Sequence, residues 1–263
     1  MTPNDSTQPP ESSLKRSHSG LWVAVAALVF VGLGVAGYFG SQRYLAMQAV
    51  APPVVEEPQL APPENLDPTL NPDDGDAVLA EAAKTLTDAP LASGWLSQPG
   101  MIRRLVAAVW QVGEGESPRE PLAFLAPSAE YSVIARDGHV YQSPESEARY
   151  DAVAKAIDTV NAAQAGALYR RAARFAEVAF KEIAPSRARF TPALNKAIDR
   201  LLAVPLSDEP IEVKPVDKGV GYTFVAPGLE ALDPAQKHLL RLGATNARLI
   251  TAKLKALRAA AGQ

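Results

Sequence analysis

The run Leu21–Phe39 (LWVAVAALVFVGLGVAGYF) holds 19 residues without a charge. It limits what the chain can become more than any other feature. As a helix rising 1.5 Å per residue it covers roughly 28 Å, close to the ~30 Å hydrocarbon core of a bilayer. Trp22 stands near one end and Tyr38 and Tyr44 near the other, where interfacial aromatics sit. A cleaved signal peptide has a shorter apolar core and a small-residue cleavage site. The A-x-A match here, Ala49-Val50-Ala51, lies well past the run and precedes Pro52. Cysteine is absent, which excludes a lipoprotein anchor and a disulfide framework. The run therefore reads as an uncleaved single-pass anchor.

Lys15 and Arg16 precede this span, and only Arg43 follows it before Lys84. That bias sets the N-terminus in the cytoplasm. In a bacterium the anchor then lies in the inner membrane, with the C-terminal part in the periplasm. Gly32, Ala36 and Gly40 recur every four residues. Such a small-residue stripe lets two helices approach closely, so it is a candidate homodimer contact.

Charge divides the remainder. Residues 51–76 carry seven acids (Glu56, Glu57, Glu64, Asp67, Asp73, Asp74, Asp76) and no base, interleaved with seven prolines from Pro52 to Pro72. Proline favours extended backbone and like charges repel, so 40–75 reads as a semi-rigid spacer. Thirty such residues at 3.1 Å each reach up to about 90 Å. Residues 1–20 are polar and Ser/Pro-rich and read as a disordered cytoplasmic tail. Residues 77–263 carry 23 Lys/Arg and 20 Asp/Glu, spread along the chain. That is no nucleic-acid footprint.

The folded domain, 76–263, reads as mostly α within an α+β class, a compact helical body with two small hairpins. Residues 77–87 form a first helix. Ile102, Leu105, Val106, Val109 and Trp110 follow the helical period between Pro99 and Gly113. Asp137-Gly138 between Tyr131–Ile134 and Val140-Tyr141 signals a hairpin. Ser143-Pro144 opens a helix that buries Tyr150, Val153, Ala154, Ile157 and Val160. Asn161 with Gln164 resembles a capping box for the longest helix, to Ile183. Its apolar face carries Leu168, Phe175, Ala179 and Ile183, and its polar face Arg170, Arg174, Glu177 and Lys181. Thr191-Pro192 caps the next helix, which Pro205 stops. Ile211–Lys214 and Tyr222–Phe224 alternate as a second hairpin across Lys218–Gly221. Asp233-Pro234 caps a helix ending at Gly243, and Thr245 or Asn246 starts the last.

Several stretches carry a resemblance: Arg149-Tyr150, ALYRRAARFAEVAFKEI (167–183), FTPALNKAIDRLLAVP (190–205) and, most of all, YTFVAPGLEALDPAQKHLLRLGATNARLITAKLKAL (222–257). Over roughly residues 99–257 the chain is similar to an uncharacterised bacterial family, domain of unknown function 3014. The resemblance implies the layout of anchor, spacer and domain. It implies no activity.

The chemistry points away from catalysis. Metal sites need clustered ligands, and His18, His139 and His238 are scattered. No metal or other cofactor is implied. There is no G-x-S-x-G, no S-x-x-K and no Gly-rich phosphate loop. A wall-cleaving enzyme needs one or two carboxylates; Glu145, Glu147, Glu177 and Glu230 are formally available, though each reads more simply as a helix-start or solvated acid. The candidate ligand or partner residues are Arg149, Tyr150, Arg170, Arg171, Lys237, Arg241 and Asn246. Arginine forks suit carboxylates and phosphates. The expectation is a non-enzymatic envelope protein whose periplasmic domain binds a protein partner or peptidoglycan. The alternative is an enzyme acting on envelope polymers through carboxylates.

Overall fold

A computed structural model describes residues 59–60, 62–63, 67, 69–217 and 221–262. The expected tail, the span Leu21–Phe39 with Gly32, Ala36 and Gly40, and most of the spacer lie outside the described residues. Among the described residues no helix is long and apolar enough to cross a membrane. The described residues lie within one compact unit.

Three helices open it: α1 (Asp74–Leu86), α2 (Pro90–Leu96) and α3 (Met101–Glu114). Helix α2 was not expected; Pro90 takes its first position. Gly113 does not close α3. It is buried inside the helix, and Gly115, with φ +85°, provides the left-handed cap. The start of α3 is capped from a distance. Asp76 of α1 accepts from the amides of Gly100 and Ile102, filling the role of an N-cap side chain.

A hairpin follows, β1 (Val133–Arg136) with β2 (His139–Gln142), in the register Val133↔Gln142 through Arg136↔His139. Asp137 and Gly138 both have positive φ, 53° and 80°, as a two-residue hairpin turn requires. Ser143 caps α4 (Pro144–Ala148) through the Ser146 amide. The single helix expected here is broken at Arg149-Tyr150, and α5 (Asp151–Asp158) is separate. The break follows from tertiary hydrogen bonds: Ser146 donates to the Ser132 carbonyl at 2.8 Å, and Ser132 and Ser143 hydroxyls pair at 2.5 Å. They pin α4 to the hairpin.

Helix α6 (Ala162–Ile183) is the spine, capped by Asn161 and packed against α1, α3 and the last helix. Phe180 is fully buried between Trp110 and Phe190, ring centroids 5.5 and 6.0 Å away. Ile183, expected on the apolar face, is exposed as the last residue of the helix. Helix α7 (Phe190–Leu202) packs on α3. Thr191 lies inside α7 and does not cap it.

The second hairpin, β3 (Val213–Pro215) with β4 (Tyr222–Phe224), joins the first through a bridge between Tyr141 and Glu212. A short α8 (Pro227–Glu230) leads to α9 (Pro234–Leu240), whose Asp233–Gln236 capping box is complete. Helix α10 (Ala244–Ala261) starts one or two residues earlier than expected, with Gly243 at the N-cap position, and Asn246 is buried in its first turn. It crosses α6 at Gly166, where a Cβ would stand 2.5 Å from the Ala260 carbonyl oxygen. A larger residue would push the helices apart. A second apolar cluster, around Val204, Val213, Phe224, Leu239 and Leu242, underlies the hairpins. The described residues are therefore mostly helical with two small antiparallel hairpins.

Candidate functional site

Proline cannot donate to a ladder, so the segment 205–210, with Pro205 and Pro210 at its ends, stays off the sheet. Between it, the first hairpin and residues 225–229 lies a cleft of about 580 Å³. Its lining is largely apolar: Ile134, Leu206, Ile211, Val225, Leu229 and Leu240, with four prolines. Ile134 and Val225 are large side chains left 37% and 39% exposed. Most charged groups at its walls are engaged elsewhere. Arg248 holds Asp208 at 2.5 Å, His139 holds Glu212 at 2.7 Å, and the Arg136 guanidinium lies over the Tyr141 ring. The surface left to bind is the apolar one.

Gln142 and Glu147 also line the cleft, and they tie it to the residues nominated from sequence. The buried Gln142 side chain donates to Glu147 at 3.2 Å and to the Arg241 carbonyl at 3.4 Å, and accepts from the Tyr131 hydroxyl at 3.3 Å. Burial pushes the Glu147 carboxyl above the usual carboxylate range, against the lowering effect of the Gln142 hydrogen bond. Gly243 allows this packing: it has φ +83°, and a Cβ there would come 2.5 Å from Glu147 Oε2.

Of the nominated residues, Arg149, Tyr150, Lys237, Arg241 and Asn246 gather around this network. The Arg149 guanidinium faces the Tyr131 and Tyr150 rings at 5.5 Å each, and donates to the carbonyls of Ser146 and Ala129. Arg241 lies over Phe224 at 5.1 Å and donates to the Tyr222 carbonyl. Lys237 pairs with Glu230 at 2.7 Å. Asn246 donates through Nδ2 to the carbonyls of Glu147 and Leu242 and to Asp151. Tyr150 meets His238 edge-on at 6.5 Å. His238 is held down to about 4 by burial, with Arg119 and Arg241 adding to the effect. Arg170 and Arg171 lie elsewhere, on α6. Arg170 caps the end of α10 at the Ala260 carbonyl, and Arg171 pairs with Glu81 at the surface.

The carboxylates nominated for catalysis do not converge. Glu145 is exposed in the first turn of α4. Glu230 accepts from the Phe224 amide and Lys237. Glu177, expected on the solvated face it shares with Lys181, is instead wholly buried and accepts from Arg189 and the amides of Phe190 and Thr191. It caps α7. Among the described residues no group of His, Asp or Glu is arranged to hold a metal ion.

Ile134, Val225 and Gln142 escaped the sequence reading. A signal existed: Ile134 and Val225 sit at hairpin strands flanked by Pro205, Pro210 and Pro227, which stop neighbouring backbone from covering them.

No curated protein and no solved structure matches the chain. A family model described as "Protein of unknown function (DUF3014)" matches residues 101–258, which span every helix from α3 onward except the last residues of α10. The chain belongs to that family.

Proposed function

We propose that this is a non-enzymatic envelope protein of a bacterium, anchored in the inner membrane by Leu21–Phe39, whose periplasmic domain binds a protein partner. One observation carries the binding reading. The cleft between the hairpins and 205–210 leaves Ile134 and Val225 exposed, while most of its charged wall groups are already engaged within the domain. Apolar area buried on association stabilises by about 25 cal/mol per Å², and a groove lined by proline and aliphatic groups suits an extended peptide segment. The acidic, proline-rich spacer is the piece that would carry the domain away from the membrane.

A photo-crosslinking residue at Ile134 or Val225 should capture a partner in cells, and one at the exposed Lys181 should not. Val225→Asp should abolish capture from Ile134. Equal capture from all three positions would refute the cleft as the site. Reporter fusions after residue 45 should be active in the periplasm alone; activity in the cytoplasm would overturn the topology.

The competing reading, an enzyme acting on envelope polymers, draws on Glu147, a cleft carboxyl raised by burial. Glu147→Gln separates the two. It keeps shape and a hydrogen-bond acceptor for Gln142, so partner capture should persist. Turnover of wall fragments that disappears with this substitution would favour the enzyme.

A further inference from the structure

The spacer does not run free to the start of α1. Leu60 is buried, 6% exposed, in a pocket formed by Tyr169, Leu194, Ile198, Leu202, Leu254 and Ala261. The Asn195 side chain holds its backbone at two points. Asn195 Oδ1 accepts from the Leu60 amide at 3.1 Å, and Asn195 Nδ2 donates to the Leu60 carbonyl at 3.2 Å. A side-chain amide used in this way imitates a neighbouring strand and satisfies both polar groups of one residue. Leu60 lies outside the stretch matched by the family, whereas Asn195 and all but one of the pocket residues lie inside it. The receptor belongs to the domain and its occupant to the tether.

We propose that the groove between α6, α7 and α10 is a peptide-binding site that reads one leucine and its own backbone, and that the tether fills it in cis. The recognition is complete without covalent connection. The pocket supplies apolar burial, and Asn195 pairs with the only two backbone groups that an extended residue presents on one edge. With Leu60 held, twenty residues, 40–59, separate it in sequence from the apolar run, a reach of at most about 60 Å at 3.1 Å per residue. Leu70 packs on the main core and Pro72 is buried, so displacement of Leu60 by a competing segment would release residues 61–69 and lengthen the tether by up to about 28 Å. This site is independent of the cleft described above and stands or falls without it.

The test uses the full chain and a fluorescent peptide of residues 57–63, Glu-Pro-Gln-Leu-Ala-Pro-Pro. The peptide should bind the Leu60→Asp chain, whose own site is vacated, at least tenfold more tightly than the unaltered chain. It should fail to bind when Asn195→Ala is added, and a peptide with aspartate in place of leucine should not bind. A Glu-specific protease on the otherwise unaltered chain gives a second readout that does not need the Leu60 variant to fold. Asn195→Ala should speed cleavage after Glu64 several-fold while the helical circular dichroism is unchanged. Absence of saturable peptide binding to a helical Leu60→Asp chain would overturn the proposal. So would cleavage at Glu64 that ignores Asn195.

Discussion

Glu177 is the most telling residue for how this domain is held together. Its carboxylate is wholly buried, and it accepts from the amides of Phe190 and Thr191 at 3.1 and 3.3 Å and from Arg189 Nε at 3.1 Å. Those amides belong to the first turn of α7, where no intrahelical partner exists. Glu177→Ala leaves two buried N–H groups without acceptors, each worth about 1–3 kcal/mol. It also removes one buried methylene, about 0.8 kcal/mol. The expected loss is about 3–7 kcal/mol, a large share of the 5–15 kcal/mol typical of a domain. Arg189→Ala should cost under about 1 kcal/mol, because that side chain is 43% exposed and its ion pair is screened. Glu177→Gln should fall between, since an amide keeps one acceptor oxygen but turns a donor toward the second N–H. Urea unfolding followed by tryptophan fluorescence measures all three. Trp110 is a suitable reporter, because it packs on Phe180, one turn along α6. Equal losses for Glu177→Ala and Arg189→Ala would refute the reasoning, since the ion pair and not the cap would then dominate.

Three further outcomes follow from the same contacts. His238 titrates near 4 when folded and near 6.5 when unfolded, so the unfolded chain holds the proton between those values. The histidine's contribution to stability is therefore full above about pH 6.5 and falls by about 3 kcal/mol toward pH 4. His238→Gln should flatten that slope in unfolding curves across the window, and an unchanged slope would exclude His238 as its source. Glu147, raised by burial, acts with the opposite sign and is present in both proteins, so their difference isolates the histidine. Asn246→Ala should cost about 1–3 kcal/mol for the lost donor. Asn246→Asp should cost more, because it sets a carboxylate against two carbonyls and Asp151; a milder effect in thermal unfolding would contradict the donor assignment. Gly166→Ala should destabilise by about 1–3 kcal/mol through the collision with the Ala260 carbonyl, outweighing the gain of up to about 1 kcal/mol in helix propensity. A rise in melting temperature would show that α6 and α10 separate freely.

What was legible in the chain depends on how far apart the interacting residues stand. Ser143, Asn161 and Asp233 cap helices whose acceptor-seeking amides lie three residues ahead, and all three announce their helices in sequence. Asp137-Gly138 likewise declares a hairpin, because the turn needs only its own two backbones. Helices α3 and α7 begin with no local cap. Asp76 and Glu177 reach them from another helix, so no window of sequence contains both partners. The same distance explains why Glu177 reads as a surface acid: its i, i+4 spacing to Lys181 is real, but burial under α7 outweighs a surface pair worth a few tenths of a kcal/mol. It explains the cleft too, whose walls come from segments ninety residues apart. Leu60 carries the point furthest. Proline and acid content describe how a segment bends, and they describe nothing about where its leucine is buried. A residue outside any helix or strand, such as Leu60, still enters a core when a distant amide, here Asn195, satisfies its backbone. Local pattern therefore sets the elements of this domain, and a few polar side chains acting across the chain decide how the elements close on one another.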